Sequence, residues 1–150
     1  QLKAIIPGGS SSKVLLSDEV AQVTMDTPGI RAFGSSLGSA GIIVLDDQTD
    51  MVDALLNLMK FYAHESCGQC TPCREGTPWI VKILQRIMAG GGLGSDMDVL
   101  LDLADNIEGR TVCALADGAC WPLTSIVKKF RHEFEAKIKP SNVAVAGVGA

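Results

Sequence analysis

The sequence predicts an α+β fold: a strand-bearing segment over residues 1–47, then a bundle of four helices over residues 48–139. Three observations carry this. Up to residue 47 the apolar residues fall in short runs broken by Pro, Gly and Ser, a strand-and-turn composition. After Asp46-Asp47 they recur at helical spacing in four successive blocks. Three of the five cysteines crowd into one short run between the first two blocks, which marks a site there.

The strand-like runs are Ala4-Ile5-Ile6, Val14-Leu15-Leu16, residues 20–25 and residues 41–45. Gly41-Ile42-Ile43-Val44-Leu45 is continuous and rich in β-branched residues, so it reads as a buried strand. The separators around Pro7-Gly8-Gly9-Ser10, Pro28-Gly29 and residues 34–39 read as tight turns. Neither glycine-rich stretch, 7–13 or 34–41, fits GxGxxG or GxxxxGK[ST].

The first helix presents Val52, Leu55, Leu56, Met59 and Tyr62 on one face, with Thr49 or Asp50 as its N-cap. The second carries Trp79, Ile80, Ile83, Leu84, Ile87 and Met88. It starts either at Pro72 after Thr71 or at Pro78 after Thr77, and Gly90-Gly91-Gly92 ends it. Ser95-Asp96-Met97-Asp98 opens the third, with Leu100, Leu101, Ala104 and Ile107 inward and acids complementing its dipole. The fourth is expected over residues 121–139, its stripe being Leu123, Ile126, Val127, Phe130, Phe134 and Ile138. Lys128, Lys129, Arg131, Lys137 and Lys139 read as its solvated face. Residues 140–150, small and apolar, read as a flexible tail.

Composition narrows the function. The net charge of −4 gives no basic footprint for nucleic acid. No apolar run approaches the roughly 18 residues of a membrane span, and the chain reads as soluble and intracellular. With two Trp, one Tyr and four Phe, the core must be mainly aliphatic. The chain opens on Gln1 and enters an apolar run at once, which reads as the C-terminal part of a longer polypeptide.

The chemistry lies in the cysteines. Cys67, Cys70 and Cys73 stand at i, i+3 and i+6, and Cys113 follows 40 residues after Cys73. Disulfides fit poorly: the number is odd, and no signal peptide points to an oxidising compartment. Structural zinc is the stronger rival, but it usually takes two separated pairs of ligands. Three thiolates on one loop plus a distant fourth suit a 4Fe-4S cluster. Cys120, seven residues beyond Cys113 and beside Trp121 and Pro122, reads as a small core residue. Gly68 permits the tight wrap, and Pro72 stiffens it. Arg74 either stabilises an anionic cluster or forms a surface pair with Glu75. His64 reads as a helix C-terminal residue. Trp79 and Trp121 are expected to help keep the site dry.

With these residues the chain closely resembles the NADH-binding flavoprotein subunit of respiratory complex I, the NADH:quinone oxidoreductase. The matching stretches are Ile6-Pro7-Gly8-Gly9-Ser10-Ser11, residues 34–41, residues 65–76, Gly109-Arg110-Thr111-Val112-Cys113-Ala114-Leu115 and Trp121-Pro122. The resemblance implies that residues 1–47 belong to a β-grasp domain of the SLBB type and that residues 48–139 form the helical bundle that holds a 4Fe-4S cluster. It carries the cluster ligands onto Cys67, Cys70, Cys73 and Cys113, with no catalytic residue in this segment and no role for Cys120. It implies NADH-reduced FMN upstream in the full subunit, whose main FMN and NADH site lies outside these residues. Its implied partners are a small iron-sulfur subunit and a larger multi-cluster subunit. The implied location is the peripheral arm, on the cytoplasmic side of the inner membrane or the equivalent mitochondrial matrix side. Two alternatives stay open: a diaphorase subunit of an NAD-linked hydrogenase or formate dehydrogenase, and a zinc-stapled binding module.

Overall fold

The computed structural model describes residues 1–139, so the tail expected over 140–150 lies outside the described residues. The chain divides into two compact units, Gln1–Thr49 and a second that begins at Asp50.

The first unit is built on a three-stranded antiparallel sheet of order β2-β1-β3. The strands are β1 (Leu2–Ile6), β2 (Leu15–Leu16) and β3 (Ile43–Asp46). Ile5 stands opposite Leu15 on one side and Val44 on the other, with a bulge between Leu2 and Ala4. Ile5, Leu15 and Ile30 form the core, flanked by Val20, Val23, Phe33 and Leu37. The two glycine-rich stretches are spent on each other. Gly9 N–H donates to the Gly41 carbonyl at 2.7 Å, and the Ser12 hydroxyl lies 3.0 Å from that of Ser36. A Cβ on Gly8 would strike the Ser36 carbonyl, and one on Gly38 would strike the Gly8 carbonyl, so only glycine permits this approach.

Two expectations fail here. Residues 20–25 are not a strand: Ser17–Val20 (α1) and Thr27–Ala32 (α2) are short helices. The Asp26 carboxylate caps α2 by accepting from Gly29 N–H at 2.6 Å, with Pro28 in the first turn, and this local signal overrides the apolar run before it. The run 41–45 is not buried either, since β3 is an edge strand and Val44 is 66% exposed.

The second unit is helical: α3 (Met51–Glu65), α4 (Thr71–Met88), α5 (Asp96–Ile107), α6 (Leu115–Lys129) and α7 (Arg131–Lys137). Each helix turns its apolar face inward. Leu55, Met59, Ile80, Leu84, Leu100, Leu123, Ile126 and Phe134 are fully buried, each worth about 1.5–3 kcal/mol of apolar burial. Leu101 is half-buried. Asp50 caps α3, accepting from Val52 and Asp53 N–H at 2.9 and 3.2 Å. The buried Asp96 carboxylate pairs with the Arg86 guanidinium and accepts Leu93 N–H at 2.9 Å, which fixes the turn between α4 and α5.

The helix expected over 121–139 is redrawn. α6 begins six residues earlier, at Leu115, and Pro122 sits inside it, where the residue one turn back is Gly118. The helix then breaks at Phe130 (φ −116°, ψ 26°), and α7 follows. Both pieces keep the apolar stripe facing inward, which is why periodicity alone does not reveal the break. The expected solvated face is partly engaged: Arg131 pairs with Asp98 and Glu135, and Lys137 pairs with Asp50.

Candidate metal centre

Two segments meet at the centre. The first is the link from α3 to α4. Ser66 ends α3 by turning extended (φ −62°, ψ 119°), and Gly68 takes φ +81°, a conformation costly for any side chain. Cys70 is the N-cap of α4, and its carbonyl accepts Arg74 N–H at 2.8 Å. Pro72 lies in the first turn, where its missing N–H is no loss. α4 therefore starts at Thr71, one residue before Pro72, the earlier of the two expected starts, and its cap is Cys70 rather than Thr71. Cys73 lies in the first turn of the helix and is buried.

Arg74 fastens this loop from behind. Its guanidinium donates to the Gly68 carbonyl at 2.8 Å, to Glu75 at 3.0 Å and to the Thr71 hydroxyl at 3.4 Å.

The second segment joins α5 to α6. Gly109 takes φ +70° past the end of α5, and its N–H donates to Asp117 at 2.7 Å. Trp121 donates its indole N–H to Glu108 at 2.8 Å. Both contacts hold the ends of the connection. Thr111 donates its hydroxyl to the Cys113 carbonyl at 2.9 Å, and Val112 N–H points at Cys70 Sγ, 3.4 Å away. That bond lays the segment carrying Cys113 against the three-cysteine loop, 42 residues back in the chain.

α4 and α5 approach closely because Gly76 has no side chain. A Cβ there would lie 2.5 Å from Cδ1 and 2.9 Å from Cγ1 of the buried Ile107. This contact sits between Cys73 and the turn that leads to Cys113.

The five cysteines are free thiols in different settings. Cys67 and Cys113 are exposed, Cys70 is half-buried, and Cys73 and Cys120 are buried. Burial first, then the charges of Glu108, Asp117 and Cys73, pushes the Cys120 thiol up to about 12. It stays protonated and makes a poor ligand. Among the described residues no three His, Cys, Asp or Glu side chains converge on the position of a single metal ion. The two segments that meet here carry four thiols, with a backbone amide against Cys70 Sγ and a hydroxyl against Cys73 Sγ, and this soft-ligand chemistry suits an iron-sulfur cluster.

Two features escape sequence reasoning, the Val112 amide against Cys70 Sγ and the Ser66 hydroxyl beside Cys73 Sγ. The Ser66 hydroxyl lies 3.1 Å from Cys73 Sγ, and its hint in the sequence is a serine where a helix must end beside the cysteine run. Trp79, expected to dry the site, is instead 50% exposed, while Trp121 is half-buried. His64 is exposed at the end of α3.

Comparison with known proteins follows the same lines. A family model for the NADH-ubiquinone oxidoreductase-F iron-sulfur binding region matches residues 53–137. The Rickettsia conorii NADH-quinone oxidoreductase F subunit is 51% identical over 142 residues, covering 95% of this chain and 34% of the relative. Its Rickettsia akari counterpart is 50% identical over 145 residues, covering 97% and 34%. The crystal structure of an NAD+-reducing [NiFe]-hydrogenase in the H2-reduced state superposes with a TM-score of 0.77 at 27% identity, over 93% of this chain and 24% of that one. The chain thus spans about a third of the length of the curated relatives it matches. On the family match, which covers more than half of its residues, the chain belongs to the NADH-ubiquinone oxidoreductase-F iron-sulfur binding region family.

Proposed function

We propose that this chain is the electron-transfer segment of an NADH:quinone oxidoreductase flavoprotein subunit, with Cys67, Cys70, Cys73 and Cys113 holding one 4Fe-4S cluster. The observation that carries the reading is the Val112 N–H bond to Cys70 Sγ, which draws the fourth cysteine's segment onto the loop of the other three. When bound, the cluster supplies one-electron transfer between the FMN reduced by NADH in the full subunit and the next carrier. The chain's own residues hold and tune. Cys73 is anchored in the first turn of α4, Arg74 braces the loop, and amide and hydroxyl donors face the sulfurs. No bond-making residue is required of this segment.

The small-sheet unit reads as part of an SLBB-like β-grasp domain over 1–47, and the helical unit as the cluster-holding four-helix bundle over 48–139. The full subunit works beside a small iron-sulfur subunit and a larger multi-cluster subunit, in the peripheral arm on the cytoplasmic or matrix side. No helix among the described residues is long and apolar enough to cross a membrane. The likeness to an NAD+-reducing hydrogenase supports a second reading, the diaphorase subunit of such an enzyme. The family membership favours iron-sulfur over the zinc-stapled alternative.

Serine replaces each cysteine in turn, followed by iron and sulfide assay and a visible spectrum. Cys67→Ser, Cys70→Ser, Cys73→Ser and Cys113→Ser should each lose the cluster, and Cys120→Ser should retain it. Full retention in Cys113→Ser, or a colourless wild type that binds zinc instead, refutes the assignment.

A further inference from the structure

We propose that Ser66 tunes the centre: its hydroxyl donates a hydrogen bond to Sγ of Cys73 and makes the bound cluster easier to reduce. This rests on the reading of Cys73 as a ligand. Ser66 closes α3, and Cys73 lies in the first turn of α4, so two packed helices set the 3.1 Å separation between oxygen and sulfur. A ligating thiolate carries no proton, so the hydroxyl is the donor. Cys73 is 7% exposed and Ser66 half-buried, so little water competes for the bond. Reduction places more negative charge on the sulfurs, the bond strengthens, and the equilibrium moves toward the reduced form. The nearby Thr77 hydroxyl serves a different purpose, donating to the Cys73 carbonyl at 2.9 Å. Val112 reaches Cys70 through its backbone, which substitution leaves in place. Ser66 is therefore a side-chain lever on a ligand sulfur, and it acts as a positioning residue through Cys73.

The test is an EPR-monitored redox titration of the cluster-loaded protein as wild type, Ser66→Ala, Ser66→Thr and Ser66→Val, with iron and sulfide assayed in each. Thr and Val have nearly equal volume and differ in the hydroxyl. Ala and Val should reduce roughly threefold less readily, a shift of about 30 mV to the negative at 59 mV per tenfold, while Thr stays with the wild type. Resonance Raman bands of iron–thiolate stretching should rise in Ala and Val alone. Melting of the metal-free proteins reads any purely structural cost, which would leave the potential unmoved. Unchanged potentials in Ala and Val with full iron and sulfide overturn the inference and leave the cluster reading standing. Loss of the cluster in Val but not in Thr overturns it too, making the hydroxyl structural. A wild type that takes up neither iron nor sulfide overturns the cluster reading itself.

Discussion

Replacing Gly76 by alanine sets two effects of opposite sign against each other. Alanine in a helix interior gains about 1 kcal/mol over glycine. Against that, the new methyl would lie 2.5 Å from Cδ1 of Ile107, a side chain 2% exposed with little room to withdraw. Overpacking of this kind costs about 1–3 kcal/mol. The balance is a loss of about 1 kcal/mol, or a melting temperature lower by about 4–8 °C for a unit of this size. Ile107→Val removes the nearer clashing carbon and alone costs about 0.5–1.5 kcal/mol. In the double variant the two losses should therefore fall short of their sum by about 1 kcal/mol. Thermal and urea unfolding followed by far-UV circular dichroism on the four proteins of the cycle measures this. A rise of several degrees for Gly76→Ala, as helix propensity alone dictates, would refute the close-approach argument, and so would strict additivity. The same wedge pushes α4 from α5, so Gly76→Leu should also weaken iron retention.

Iodoacetamide at about pH 8 should label the exposed Cys67 and Cys113 of the folded metal-free protein well before Cys120, whose buried thiol is pushed up to about 12. Peptide mass spectrometry reads the order, and early labelling of Cys120 would contradict its packing. At Asp50, burial alone would raise the carboxyl's pKa. The hydrogen bond from Lys137, the Asp53 and Val52 N–H groups and the Lys137 charge outweigh it and hold the value below the ordinary carboxylate range. A lowered native value means that the stabilisation is complete above the unfolded value of about 4 and is lost as pH falls through the native one. Urea unfolding should show wild type more stable than Asp50→Asn at neutral pH, with the gap closing below about pH 4; a gap that widens in acid would reverse the assignment.

The helical half of the fold was legible where an amphipathic helix announces both its period and its ends, as α3, α4 and α5 do, and less so for α6 and α7, whose start and break carry no such mark. Asp50, Pro72 and Ser95 mark starts, and Gly90 and Gly109, both at positive φ, mark stops. The sheet half was less so. An apolar run such as 41–45 looks the same in a central strand and an edge strand, and only the pairing order distinguishes them. Asp26-Thr27-Pro28 carried a start signal for α2, but a helix of six residues shows too little periodicity to weigh against the apolar run before it. At the centre, cysteine spacing suggested which thiols to gather. It says nothing of what faces them. The Ser66 hydroxyl and the Val112 amide reach sulfur through backbone geometry that is fixed by helix packing.

The first and last described helices of the helical unit are fastened together. Lys137 at the end of α7 pairs with the Asp50 carboxylate that caps α3, and Glu133 accepts Met51 N–H at 3.0 Å. Such contacts, 82 and 87 residues apart in the chain, carry a high loop-closure entropy, so they are expected to close after the local helix pairs. They also make the unit portable. A module whose first helix is tied to its last described one can be inserted into different polypeptides without stretching its host.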